Sequence, residues 1–165
     1  MGRPLKDIPT VRWGEISDSK GSAVELPNLL SRVAWSDKEN GQAALEEIAD
    51  RVCELGFVVS EATHRTVPFL LELAGWESCQ HRAEIIELLH SIFSSRQWSE
   101  AASGAAKKYR PNFYHKIQWE QDSRKAVLSG RAMIESLKYS SDTQVASAAQ
   151  NLVREFEKSE ADSSQ

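Results

Sequence analysis

The sequence predicts an all-α protein, a right-handed superhelix of about three stacked helical hairpins. The main observation is an internal repeat. Leu26–Trp35 and Val67–Trp76 both contain a Pro, then a Leu-Leu pair and a final Trp, and each of these residues in the second segment lies 41 positions after its equivalent in the first. Self-similarity near this period is typical of stacked helical units. Within each copy the apolar residues recur at steps of three and four, which places them on one face of a helix.

Bulk composition sets the class of protein. A chain of 165 residues corresponds to one domain, and 41% hydrophobic with 27% charged residues is ordinary for a soluble globular protein. No run of about 18 apolar residues could cross a bilayer, and the start lacks the apolar stretch of a secretory signal. We therefore expect a cytoplasmic protein without membrane association. Cys53 and Cys79 are too few for a disulfide framework and are expected to be buried thiols.

The first hairpin follows an irregular segment. Residues 1–23 contain several Gly, Pro, Ser and Asp, which predicts a lead-in without regular helices. The return helix of the first hairpin is expected to start at a Ser36 or Asp37 cap and to end at Gly56. The three predicted hairpins span 24–56, 60–97 and 120–157.

The second and third copies are spaced differently. Pro68 lies well inside the first helix of the second hairpin and is expected to kink it. A third copy appears at an offset of 104, which aligns Trp35 with Tyr139. The step from the second copy to the third is therefore longer, and it leaves an insertion at 98–119. The tail, 158–165, has too little apolar surface to stay folded and is predicted to be disordered.

Several residues carry a resemblance to a known family. They are Pro27 and Pro68 in the first helices, the double leucines after them, the turn caps Asp37, Ser78 and Ser141, and the stretch 56–71 with Trp119 and Gly130 beyond it. Over roughly 24–157, this pattern resembles HEAT-type (armadillo-like) helical repeat proteins, and in particular a group of short bacterial HEAT-like proteins. Members of that group include immunity proteins encoded beside polymorphic or contact-dependent toxins. The resemblance implies a protein that neutralises a cognate toxin by covering its active site.

Charge is sorted along the chain, and the acidic block forms the first candidate surface. Residues 37–61 carry seven acidic residues against two basic ones, whereas 101–140 carry eight basic residues against three acidic ones. The acidic candidates for partner binding are Glu46, Glu47, Asp50 and Glu54, extended by Glu87 at the repeat offset. Return helices line the concave surface of a HEAT-like stack, so this row is expected to face a basic partner such as a nuclease toxin. The alternative is a solvated helix face.

The insertion supplies the second candidate surface. It holds five of the thirteen aromatic residues, Trp98, Tyr109, Phe113, Tyr114 and Trp119, beside Lys107, Lys108, Arg110 and Lys116. Aromatic and Arg side chains are the usual anchors of protein interfaces, so Trp98, Tyr109, Arg110, Tyr114 and Trp119 complete the candidate partner-binding set. The rings could instead pack the insertion onto the repeats. Aromatic residues interleaved with cations also suit nucleic acid.

No group of residues points to catalysis. The sequence lacks a glycine-flanked nucleophilic serine, a phosphate-binding glycine run and a recognisable Cys-His-acid pattern. Cys79, His81 and His90 do not have the spacing of a metal site. We therefore expect a binding protein, not an enzyme, without cofactor or metal. The alternatives are a general protein adaptor and a nucleic-acid-binding HEAT-like protein, such as a DNA-repair glycosylase, although the net charge of −4 counts against nucleic acid.

Overall fold

Helices make up most of the chain. The computed structural model describes residues 3–163. Its α-helices are α1 (Leu26–Trp35), α2 (Lys38–Val52), α3 (Thr63–Ala74), α4 (Arg82–Ser94), α5 (Gln97–Gly104), α6 (Tyr114–Leu128), α7 (Arg131–Leu137) and α8 (Thr143–Ser163). Four 3-10 segments (Ile8–Thr10, Trp13–Glu15, Ala23–Glu25 and Lys107–Phe113) and two short antiparallel ladders, β1 (Ser17–Asp18) with β2 (Gly21–Ser22) and β3 (Cys53–Glu54) with β4 (Val58–Val59), complete it. The predicted all-α class is confirmed. None of the helices in residues 3–163 combines the length and apolar character needed to cross a membrane.

The helices pair into three hairpins. α1 packs against α2, α3 against α4, and α7 against α8, each pair joined by a short connection. The first two pairs lie within 24–56 and 60–97, whereas α8 continues past the end of the third predicted segment, 120–157. Pro68 lies inside α3 on its exposed side.

The return helices lie side by side. α2 touches the second hairpin near both of its ends: a Cβ atom added to Gly41 would be only 2.5 Å from His81 Nε2, and Cys53 Sγ lies 3.6 Å from Ser95 Oγ. α8 packs along α4, where the rings of Phe93 and Phe156 meet edge to face with centroids 5.0 Å apart. α4 is therefore a neighbour of both α2 and α8.

The layer of first helices departs from the prediction. α1 contacts α3, but the neighbour of α3 on the next side is α6. α6 begins at Tyr114 and ends at Leu128, so it crosses the predicted boundary between the insertion and the third hairpin. The inserted segment is therefore longer than 98–119, and its last helix packs against both α3 and α4.

The core runs through all three hairpins. Its largest fully buried side chains are Leu26, Leu30, Ile48, Leu70, Leu73, Ile85, Ile86, Leu89, Ile92, Phe93, Ile134 and Phe156. The lead-in contributes Leu5, Ile8 and Trp13, and the Trp13 indole donates a hydrogen bond to the Ile8 carbonyl at 3.0 Å. The Trp13 ring packs against Phe69 of α3, with ring centroids 5.9 Å apart. The lead-in is thus folded onto the second hairpin.

Helix caps follow the sequence in part. Asp37 is the N-cap of α2, and its Oδ1 accepts a hydrogen bond from the Asn40 amide at 2.9 Å. For α8 the residue that bonds the first free amides is Asp142, not the expected Ser141. Ser78 caps no helix, because residues 77–81 form a turn and α4 begins only at Arg82.

α2 ends earlier than predicted, at Val52 and not at Gly56. The Ser60 hydroxyl donates to the Arg51 carbonyl, and the Thr63 hydroxyl donates to the Val52 carbonyl, so side chains satisfy the end of the helix. Residues 53–59 then form the β3–β4 hairpin, whose tip holds Leu55 at φ 57° and Gly56 at φ 85°. Two successive positive φ values fit the tight turn that joins antiparallel strands.

The predicted disordered tail is wrong for residues 158–163. α8 continues without a break to Ser163. Arg131, at the start of α7, forms an ion pair with Glu160 and so fixes the last turns of α8. Sequence composition could not show this, because the contact comes from a distant part of the chain. Residues 1–2 and 164–165 lie outside the described part.

Candidate protein-binding surfaces

The inserted segment is held rigidly by one buried carboxylate. Glu120 of α6 is 1% exposed. Its two oxygens accept hydrogen bonds from the Trp98 amide at 2.8 Å, the Ser99 amide at 3.1 Å and the Ser99 hydroxyl at 2.6 Å. The first amides of a helix have no partner within the helix, so Glu120 acts as an N-cap supplied from another helix. α5 and α6 are thereby fixed relative to each other.

Two of the predicted partner-binding residues join the insertion to the repeats. The Trp98 indole donates a hydrogen bond to the Val59 carbonyl of β4 at 2.9 Å, and the Lys116 ammonium lies 4.3 Å from the centre of one of its rings. Trp119 is half-buried and packs against the hydrophobic core. Both rings are therefore engaged within the chain, and only part of each remains open to a partner.

The other three predicted residues of the insertion are open to solvent. Tyr109 is 52% exposed and Tyr114 is 61% exposed. Arg110 and Tyr114 come together in a cleft of about 390 Å³ between α5 and α6. The cleft is lined by Ser99, Ala102, Ser103, Arg110, Tyr114 and Ile117. Tyr109 precedes Arg110 in the chain, and the Lys108 ammonium lies 4.9 Å from the centre of the Tyr109 ring.

The described residues provide no ion pair for the basic side chains of this surface. Over residues 3–163, no acidic side chain forms an ion pair with Lys107, Lys108, Arg110 or Lys116. Arg124 lies at the other end of α6 and donates to the Ser95 carbonyl at 3.1 Å. Burial, together with the nearby Arg96, lowers the pKa of Arg124. We call the 3-10 segment Lys107–Phe113 with Tyr114–Lys116 the basic aromatic surface.

The predicted acidic row is divided by a salt-bridge network. Glu47 pairs with Lys20 and with Arg51, each at 3.0 Å, and Arg51 also pairs with the buried carboxylate of Asp18 at 3.0 Å. The hydrogen bond from Lys20 is the largest of the contacts that hold the pKa of Glu47 below its ordinary value. Glu47 therefore ties α2 to the lead-in, and its charge is already balanced.

The remaining acidic residues fall into two groups. Glu46, Asp50 and Glu54 are exposed along α2 and at the end of β3, and within residues 3–163 the Glu46 side chain accepts a single hydrogen bond, from Gln42. Glu87 is exposed on α4, where it lines a shallow groove of about 370 Å³ shared with α8. The first group therefore lies on α2 and the strand that follows it, and Glu87 lies on the neighbouring return helix α4.

The residues that sequence reasoning missed are those whose role depends on distant contacts. Glu120 is the buried cap of α5, while Ser103 and Ile117 line the cleft beside Arg110. Asp18 and Lys20 come from the lead-in and complete the network on α2. No local spacing signals any of them.

Other chemistry is not evident in the described residues. No three His, Cys, Asp or Glu side chains between residues 3 and 163 are grouped so that they could hold a metal ion. His81 is buried and contacts Gly41, and both cysteines are buried and free. No protein-family model, no curated protein and no solved structure matches the chain.

Proposed function

We propose that the chain is a protein-binding module built as a HEAT-like, right-handed superhelix. Two features support this architecture. The repeat-equivalent residues Trp35 and Trp76 contact each other, with ring centroids 6.3 Å apart, and α4 neighbours both of the other return helices, α2 and α8. Repeat proteins of this kind present extended surfaces for binding. A cytoplasmic location is part of the same proposal.

The observation that carries a binding role is the basic aromatic surface. It exposes Tyr109, Arg110 and Tyr114 together on a segment that Glu120 and Trp98 fix in place. Exposed aromatic rings beside an Arg that lacks an internal partner are the residues that most often dominate binding energy at protein interfaces. A rigid presentation lowers the entropy that binding must overcome.

We further propose that the partner is a cognate bacterial toxin. This proposal rests on the resemblance to HEAT-like immunity proteins and on the exposed acidic row Glu46, Asp50 and Glu54. A toxin that acts on nucleic acid presents a basic cleft, and complementary acidic side chains would speed the encounter and cover that cleft. Glu47 is left out of the row because its charge is balanced by Lys20 and Arg51.

The test is direct binding to the toxin encoded beside this gene. Isothermal titration calorimetry should show a complex, and co-expression should protect cells from the toxin. The double variant Glu46→Lys with Asp50→Lys should weaken the complex at least tenfold with an unchanged melting temperature, because both side chains are exposed. Glu157→Lys with Asp162→Lys makes the same charge change on exposed positions of α8 and should bind normally. If the unmodified chain neither binds the toxin nor protects cells from it, the toxin assignment is refuted.

A second candidate function is binding of nucleic acid. The observation in its favour is the set of cations without internal ion pairs on the basic aromatic surface, with Arg124 and Lys125 further along α6. Retention of single-stranded DNA or RNA at low salt that falls steeply as salt is raised would favour this function. Excision of a damaged base would extend it to a DNA-repair glycosylase. If the chain binds neither toxin nor nucleic acid but captures another cellular protein, it is an adaptor.

A further inference from the structure

The cleft between α5 and α6 has the size and rigidity of a binding site. Its volume of about 390 Å³ falls within the range of roughly 300–1,000 Å³ that ligand sites occupy. One wall is α5, whose N-terminus is held by the Glu120 carboxylate. The other wall is α6, which packs on α3 and α4. The cleft is therefore preformed by contacts outside it.

The residues at the rim of the cleft favour an anionic group on the ligand. Arg110 lines the cleft and forms no ion pair within residues 3–163. A guanidinium group has the fork geometry that binds a carboxylate through two parallel hydrogen bonds. The hydroxyl groups of Ser103 and Tyr114 line the same cleft and add neutral donors. Lys107 and Lys108 strengthen the local positive potential.

The residues at the floor of the cleft favour an apolar group on the ligand. Ala102 is 8% exposed and Ile117 is half-buried, and both line the cleft. An aliphatic side chain beside the anionic group would cover them, whereas a sugar-phosphate backbone would leave them unmatched. The net charge of −4 and the exposed row Glu46, Asp50 and Glu54 would also repel a long polyanion. A short acidic peptide fits these features better than nucleic acid.

We propose that this cleft docks an acidic, aliphatic peptide segment of the protein partner, with a carboxylate paired to Arg110 and a neighbouring aliphatic side chain on Ala102 and Ile117. The inference rests on the proposed protein-binding function and specifies the chemistry of one contact. The cleft requires an acidic segment of the partner, whereas the acidic row on α2 requires a basic region. A single partner that spans both surfaces carries a basic region and an acidic segment.

The first experiment selects peptides from a random phage-displayed library on the immobilised full chain. The expected consensus is Asp or Glu next to Leu, Ile or Val. The same selection on Arg110→Glu should lose this consensus. Arg154→Glu, which makes the same change at an exposed position of α8, should keep it. A consensus without acidic residues, or one that Arg110→Glu leaves intact, overturns the proposal.

The second experiment measures affinity of the selected peptide by fluorescence anisotropy. Arg110→Glu should weaken binding at least tenfold and Tyr114→Ala by a smaller factor, while Arg154→Glu should match the unmodified chain. Thermal melting confirms that each variant is folded. An unlabelled single-stranded oligonucleotide and the unlabelled peptide serve as competitors for the labelled peptide. If the oligonucleotide displaces the labelled peptide at a lower concentration than the unlabelled peptide does, the choice of a peptide ligand is wrong.

The two proposals fail in distinguishable ways. If the toxin or another protein binds the chain and Arg110→Glu does not change that affinity, the cleft inference is wrong and the protein-binding function stands. If no protein partner is found but the peptide consensus depends on Arg110, the cleft is a peptide site and the toxin assignment alone is refuted.

Discussion

Trp35 and Trp76, which are 41 residues apart in the chain, lie edge to face with ring centroids 6.3 Å apart and an interplanar angle of 62°. Trp35 is the last residue of α1, and Trp76 follows the end of α3. The Arg3 guanidinium lies over a Trp35 ring, 4.5 Å from its centre. The aligned residue of the third copy, Tyr139, is 84% exposed. This contact of repeat-equivalent rings joins the first two hairpins, and Tyr139 does not extend it to the third.

We expect this aromatic pair to couple the first two hairpins energetically. Trp35→Ala and Trp76→Ala should each lower the free energy of unfolding, and the double variant should lose less than the two losses combined. The coupling should be about 0.5–1.5 kcal/mol, as for other aromatic pairs. Urea unfolding of the four proteins in the cycle measures it. Tyr139→Ala is the control and should change stability by less than about 0.5 kcal/mol. Strict additivity would show that the pair does not join the hairpins.

The close approach of α2 to the second hairpin makes Gly41 sensitive to substitution. A Cβ atom there would lie 2.5 Å from His81 Nε2, and His81 is only 2% exposed, so its ring has little room to move. Overpacking costs about 1–3 kcal/mol, whereas the gain in helix propensity from Gly to Ala is about 1 kcal/mol. Gly41→Ala should therefore lower the free energy of unfolding by up to about 2 kcal/mol, as measured by chemical denaturation.

Gly104→Ala is the matched control for this substitution. An added Cβ at Gly104 meets nothing within 4 Å, so the free energy of unfolding should not fall, and helix propensity at the end of α5 can raise it by up to about 1 kcal/mol. If Gly41→Ala were as stable as Gly104→Ala, the contact of α2 with His81 would be looser than the structure has it.

The network around Glu47 predicts a pH-dependent stability. The hydrogen bond from Lys20, followed by those of Arg51, lowers the pKa of Glu47 in the folded state. A carboxyl group with a lowered folded pKa contributes stability that is complete above its unfolded pKa, about 4.3, and is lost as pH falls through the folded pKa. The difference in free energy of unfolding between the unmodified chain and Glu47→Gln should therefore be largest near neutral pH and vanish in acid.

Lys20→Met tests whether the hydrogen bond from Lys20 causes the pH-dependent stability that Glu47 contributes. In that background the donor of the strongest hydrogen bond is gone, so Glu47→Gln should have a smaller effect at neutral pH and a weaker pH dependence. Urea titrations between neutral pH and pH 3 measure both series. A pH dependence that is the same with and without Lys20 would contradict this account.

Glu120 should control the local stability of α5. Glu120→Ala leaves the Trp98 and Ser99 amides and the Ser99 hydroxyl without their acceptor, at about 1–3 kcal/mol for each donor left buried. In hydrogen exchange, the amides of Trp98 and Ser99 should lose protection before those of α3. Gln121→Ala, at an exposed position beside it on α6, should leave the exchange pattern unchanged. Persistent protection of the two amides in Glu120→Ala would mean that another group caps α5.

The hairpins could be predicted because their buried side chains repeat, but α6 could not be assigned to its place. The buried positions of α6 are Glu120, Ser123 and Val127, so the side that faces α3 and α4 is largely polar. Hydrophobic periodicity identifies a buried face only when that face is apolar. The tertiary environment, in which Glu120 caps α5, decides the burial instead.

The candidate surfaces were predictable to different degrees. Composition alone identified Arg110 and Tyr114, since aromatic and basic residues concentrate in one short segment. Glu47 looked identical to Glu46 in the sequence. One of its partners, Lys20, is 27 residues earlier in the chain, and the other, Arg51, is also paired with the distant Asp18. Only folding of the lead-in onto α2 reveals which carboxylates remain available.

The two buried thiols give the protein a built-in probe of its own opening. Cys53 lies between the first two hairpins and Cys79 in the turn before α4, and burial raises the pKa of both. The thiolate is the form that attacks alkylating reagents, so both sulfurs should react slowly while the helices stay closed. Timed treatment with iodoacetamide, read by mass spectrometry, would therefore report how often the second hairpin parts from its neighbours, with no label introduced into the chain.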